Sequence, residues 1–187
     1  MSSRLLRRFT PCNDRKDRTM KNLKFHTNSL IVLCGPAGSG KTYFAQKYFQ
    51  PSQIVSSDHF REMISDDANN QRVSLDAFEL MNKIIEYRLK FNRLAVADAT
   101  HILPSYRQPL LNLAKKYDRP IYLVIFESDI KTCCKNNLSR SRQVEQNVIV
   151  TQFEKFQRVK EQILSENYTE VYCVKPHEIE DIKIKFI

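Results

Sequence analysis

The stretch that most constrains this chain is Gly35-Pro36-Ala37-Gly38-Ser39-Gly40-Lys41-Thr42, which reads G-x-x-x-x-G-K-T. It follows the apolar run Leu30-Ile31-Val32-Leu33-Cys34 and precedes residues 42–48, which can be helical. Strand, glycine-rich turn and helix, in that order, form a cradle for a polyphosphate. Backbone N–H groups of the turn face the anion, and the helix N-terminus adds the positive end of its dipole. Lys41 is expected to reach the β- and γ-phosphates and Thr42 to hold Mg²⁺. The other reading is a Gly-rich turn that binds nothing. Lys and Thr after an apolar strand argue against it.

Around this loop the pattern alternates. Strands are expected at 29–34, 54–57, 94–98, 121–126 and 172–174. Helices are expected at 42–49, 60–64, 75–91 (with Ser74 as N-cap), 105–117, 129–137 and 144–164. Phe78, Met81, Ile84 or Ile85, and Leu89 mark the buried stripe of the third helix. Val148, Phe153 or Phe156, and Ile163 mark that of the last. Ile121 to Phe126 shows no alternation, as suits a strand buried on both faces. The expected fold is an α/β three-layer sandwich with a mainly parallel, five-stranded sheet. In such sheets ligands bind at the C-terminal strand ends. Gly35, Asp58 and Asp98 all fall there, on three different strands.

The 187 residues suit one domain, and 42% hydrophobic content can bury a full core. No apolar run approaches membrane-spanning length. The five cysteines are odd in number and lack C-x-x-C spacing, so neither a zinc site nor a disulfide framework is indicated. A reducing, cytoplasmic compartment is expected. Net charge is +9, but residues 1–24 carry eight basic and two acidic residues, leaving +3 for the other 163. Residues 1–24 are therefore expected to be a disordered basic arm, a targeting segment, or an extension upstream of a start at Met20. Residues 25–187 are expected to form the folded domain. The four histidines form no ligand spacing, and His101 alone is expected near the crevice.

Asp58 can serve as the acid–base group for an acceptor hydroxyl, or simply as a helix N-cap. Arg61, one helical turn on, can fork onto an acceptor phosphate or face solvent. Asp98 ends the run Val96-Ala97-Asp98-Ala99-Thr100, and it can hold Mg²⁺ or bond the loop backbone. Arg140 and Arg142, with Lys135 before them, can close as a basic lid over a γ-phosphate, or be solvated turn residues.

Taken together, the 35–42 loop, Ile54-Val55-Ser56-Ser57-Asp58-x-x-Arg61, Ser65-Asp66-Asp67, Val96-Ala97-Asp98-Ala99-Thr100 and Arg142-Gln143-Val144-Glu145 form an ordered set. The set resembles the 5′-OH polynucleotide kinase domain of bacterial polynucleotide kinase-phosphatase, over roughly residues 30–174. The resemblance implies a P-loop phosphotransferase fold and ATP- and Mg²⁺-dependent phosphorylation of 5′-OH ends of RNA or DNA, in end healing. It implies Asp58 as general base and Arg61 on the phosphate beside the terminal nucleoside. Lys41 and Thr42 would bind ATP phosphates and Mg²⁺, and Arg142 and Arg140 would be lid cations. Arg142 aligns through Arg-Gln-Val-Glu, and Arg140 is offset by one residue. His101 stands where the family tends to have Asn. Phosphatase and ligase functions would come from separate chains. Two other readings keep the loop: a P-loop kinase of a small alcohol, nucleoside or sugar nucleotide, and a non-catalytic ATP-binding switch subunit.

Overall fold

The computed structural model describes residues 21–139 and 143–187. Its centre is strand β2 (Leu30–Cys34), all five residues of which are buried. Around it, β3 (Ile54–Ser56), β4 (Ala95–Asp98), β5 (Ile121–Phe126) and β6 (Glu170–Val174) complete a sheet of order β3-β4-β2-β5-β6. Every neighbouring pair is parallel. The expected five-stranded parallel sheet is therefore present. Because each parallel crossover needs a long connection, helices alternate with the strands.

The side chains of β2 alternate between the two faces of the sheet, and each face carries its own core. Leu30, Val32 and Cys34 pack with Met81, Ile85 and Leu89 of α3 (Ser74–Lys90) and Leu110 of α4 (Pro104–Lys116). Phe156 and Ile163 of α6 (Gln146–Ser165) complete that layer. Ile31 and Leu33 pack instead with Phe44 and Ala45 of α1 (Lys41–Tyr48), and with Leu23, Phe25, Ile179 and Ile182. Two further helices, α2 (Ser57–Ser65) and α5 (Ile130–Leu138), follow β3 and β5.

The structure departs from the sequence expectations in particular places. Asn22–Phe25 forms a strand, β1, whose first three residues fall in the span expected as arm. It pairs in parallel with β7 (Lys183–Phe186). The reason is burial: Leu23 and Phe25 are fully covered by the layer that holds α1. The rest of the expected arm, residues 1–20, lies outside the described residues. Ser74 is the first residue of α3 rather than its cap, and its hydroxyl donates to Gln71 Oε1 at 3.1 Å. Ile85, not Ile84, lies in the buried stripe, and Ile149 takes the place expected of Val148. The four described cysteines are free thiols. No helix among the described residues is long and apolar enough to cross a membrane.

Candidate active site

Register brings the candidate residues together. Asp98, the last residue of β4, lies opposite Leu33 of β2 on one side and Ser56 of β3 on the other. Gly35 follows β2 by one residue, and Asp58 follows β3 by two. The loop and both aspartates thus share the C-terminal edge of three adjacent strands, where the sheet order turns about β2. Asp98 is buried, with 4% of its surface exposed.

Glycine is required within the loop itself. Gly38 has φ 77°, and a Cβ there would sit 2.1 Å from the Cys133 carbonyl oxygen on α5, so no side chain fits. Gly40 has φ 100° and forms the N-cap of α1, which begins at Lys41. Lys41 is buried. Its Nζ donates to Pro36 O at 2.8 Å and to Ser39 Oγ at 3.3 Å.

Ties from elsewhere in the chain hold the loop. Gly35 N–H donates to Thr100 O at 3.0 Å. Asn136 Nδ2 on α5 donates to Gly38 O at 2.8 Å, and Ala37 N–H donates to Gln152 Oε1 on α6 at 2.9 Å. Asn137, also on α5, bonds both backbone groups of Val144, donating to its carbonyl at 2.8 Å and accepting from its N–H at 2.9 Å. It thereby closes the base of the segment between α5 and α6. Arg140 and Arg142, expected as lid cations, lie outside the described residues of that segment. Lys135 is exposed on α5.

Beneath the loop, His101 is fully buried at φ 44°. Its Nδ1 lies 2.8 Å from Leu33 O; a carbonyl can only accept, so Nδ1 carries the proton. Burial holds the imidazole down at about 4, and the bond to Leu33 opposes that shift. The thiol of Cys34 donates to His101 O, and burial pushes that thiol up to about 12 against the pull of Arg107 and Lys41. Arg107 NH1 donates to the carbonyls of His101 and Ile102 at 2.8 and 2.5 Å. Its Nε and NH2 fork onto Glu166 at 2.8 and 2.5 Å. Arg107 thus fixes the turn after β4 from α4 while anchored beyond the end of α6.

The Asp58 side of the crevice is built differently. Asp58 lies in the first turn of α2, one residue inside the helix start, and Ser56 holds the N-cap position without a side-chain cap bond. Asp58 is therefore not the cap. Its carboxylate pairs with Arg61, as the one-turn spacing requires. The Asp58 side chain is 45% exposed and that of Arg61 7%. Arg61 Nε also donates to Ala68 O at 2.9 Å. A cavity of about 460 Å³, lined among others by Ser128, Thr132, Lys160 and His177, opens at the ends of β5 and β6. It takes none of its lining from residues 35–42.

Sequence reasoning missed Gln152, Asn136, Asn137 and Arg107. Amide and guanidinium side chains on helices are normally solvated, and only the tertiary arrangement turns these four inward.

The chain resembles several known proteins. It is 24% identical over 132 residues to the L-seryl-tRNA(Sec) kinase of Methanococcus maripaludis, covering 68% of this chain and 52% of the relative. The chain thus spans about half the length of that relative. Its fold is similar to a chain in the Pnkp1/Rnl/Hen1 RNA repair complex, with TM-score 0.61 and 22% identity over 73% of this chain and 46% of that one. It is also similar to a gluconokinase from Sinorhizobium meliloti, with TM-score 0.52 and 16% identity over 82% and 90%. The profile of the AAA domain family AAA_33 matches residues 30–163, most of the sheet and the whole candidate site, and this chain belongs to that family.

Proposed function

We propose that this protein is an ATP- and Mg²⁺-dependent kinase that transfers a γ-phosphoryl group to the 5′-hydroxyl end of RNA or DNA. The observation that carries the reading is the half-exposed Asp58 paired with Arg61, on the strand end next but one to the phosphate loop. A loop that binds a triphosphate explains Lys41 and Gly38 but gives no use for a carboxylate at the crevice mouth. An acceptor hydroxyl does. Asp58 takes the hydroxyl proton as the acceptor oxygen bonds to the γ-phosphorus and the bond to the β–γ bridging oxygen breaks.

Lys41 and the arginines Arg140 and Arg142 offset the charge that spreads over the transferring group. Hard oxygen donors fit Mg²⁺, and Thr42 and Asp98 would hold it. No group of three or more His, Cys, Asp or Glu residues could cage a metal among the described residues. An ion bound there would offset charge on the phosphate oxygens.

Fold similarity to a chain of an RNA repair complex and sequence similarity to an L-seryl-tRNA(Sec) kinase support an acceptor that is RNA or is carried on it. Ligase and phosphatase activities would then act on the same ends. Two observations favour a second reading, a kinase of a small alcohol. Arg61 is engaged by Asp58 and Ala68, and a gluconokinase shares the fold.

The test uses γ-labelled ATP, Mg²⁺, 5′-OH and 5′-phosphate oligonucleotides, and a panel of small alcohols. Label is expected on 5′-OH ends alone, falling by about 10²- to 10⁴-fold in Asp58→Asn. Label on a small alcohol and on neither oligonucleotide would sink the polynucleotide reading. ATP binding without transfer to anything would favour a switch.

A further inference from the structure

We propose that Gln152 is a positioning residue that sets the place of Lys41 through the Pro36–Ala37 peptide. The proposal rests on the reading that the 35–42 loop binds a nucleoside triphosphate. A peptide unit is a rigid plane whose N–H and C=O point in opposite directions. In this plane Ala37 N–H donates to Gln152 Oε1 at 2.9 Å, and Pro36 O accepts from Lys41 Nζ at 2.8 Å. Pro36 O also accepts from Ser39 N–H at 3.3 Å. Turning the plane breaks the bonds on both of its edges together. The side chain that holds the N–H edge therefore fixes the carbonyl that holds the ammonium.

Gln152 lies on α6, which begins immediately after the segment carrying Arg142. Asn137 closes the base of that segment on Val144. Asn136 provides a built-in contrast. It holds Gly38 O from α5 at 2.8 Å, a different peptide, and so steadies the loop without steering the lysine.

The test reads Lys41 directly. The full chain and its variants are treated with an amine-acylating reagent, and Lys41 modification is followed by peptide mass spectrometry with and without ATP and Mg²⁺. Gln152→Met keeps the shape and loses the acceptor oxygen. Lys41 is expected to react about fivefold faster in it, the factor carried by one hydrogen bond, with a similar rise in KM for ATP. Gln152→Glu keeps an acceptor and should stay within about twofold of the parent labelling rate. An unchanged Lys41 rate in Gln152→Met overturns the proposal, and so does equal acceleration in the Glu variant. Should Gln152→Met not fold, Gln152→Ser, too short to reach Ala37, is judged by the same criterion. The labelling needs no acceptor substrate, so a protein inactive on 5′-OH ends loses the proposed substrate and leaves this result readable. Failure of ATP to protect Lys41 removes the donor reading itself.

Discussion

The two halves of the candidate site are held by opposite means. The loop that would receive the donor is tied at long range, to Thr100, Asn136 and Gln152, and rests on the buried His101–Arg107–Glu166 network. The proposed acceptor pair, Asp58 and Arg61, is made within one turn of one helix, beside the edge strand β3, and its carboxylate is half exposed. A polyphosphate needs several N–H groups fixed in advance, and that order comes only from many elements converging. A general base needs one carboxylate within reach of a proton, and a single helical turn supplies it.

The difference is broken most severely from the donor side. Arg107→Leu leaves Glu166 without its cationic partner and removes the guanidinium donor from the carbonyls of His101 and Ile102. Breaking a buried pair of this kind costs about 3 kcal/mol or more, which denaturant unfolding would register as a lower midpoint. ATP affinity should fall with it, because the turn that accepts Gly35 N–H loosens. Unfolding unchanged within about 0.5 kcal/mol would show that the network is not what supports the loop.

The next effect concerns pH. Folding holds the His101 imidazole near 4, below its ordinary value of 6.5, because burial disfavours the charged ring. The unfolded chain therefore takes up a proton first. The contribution is fully present above pH 6.5 and is lost as pH falls toward 4. Between pH 7 and 5 the loss is about 2 kcal/mol. Asn also adopts positive φ, so His101→Asn should fold and should lose less stability over that interval. Equal pH slopes for parent and variant would refute this account.

The smallest effect is on the acceptor side. Asp58→Asn, which removes transfer in the proposed reaction, should change unfolding free energy by less than about 1 kcal/mol, since the carboxylate is 45% exposed and the amide keeps an oxygen that can accept from Arg61. A loss of several kcal/mol would mean that the acceptor half is as embedded as the donor half.

The same contrast explains what could be read from the chain alone. Ile121–Phe126 was visible as a strand because six consecutive apolar residues leave little else for it to be. The loop was visible because its chemistry is local: all three glycines, Lys41 and Thr42 fall within residues 35–42. Asp58 and Arg61 were visible by their spacing on one helix. By contrast, β1 and β7 are four residues each, Asn-Leu-Lys-Phe and Lys-Ile-Lys-Phe. Their pairing joins segments about 160 positions apart, and strand preference is decided by such neighbours rather than by the segment itself. Gln152 and Arg107 were hidden for the same reason: nothing local turns a helical amide or guanidinium inward.

That terminal ribbon also has a mechanical consequence. Because β1 and β7 run parallel, residue 21 leaves at one end of the ribbon and Ile187 at the other. Tension applied between those two ends slides the strands past each other along their length. Lys183 N–H on Lys21 O and Ile187 N–H on Phe25 O are then loaded together rather than peeled one after another. A pair this short, joined in shear and backed by buried Leu23 and Phe25, acts as a clasp: pulled from its two ends, the domain resists first where it is thinnest.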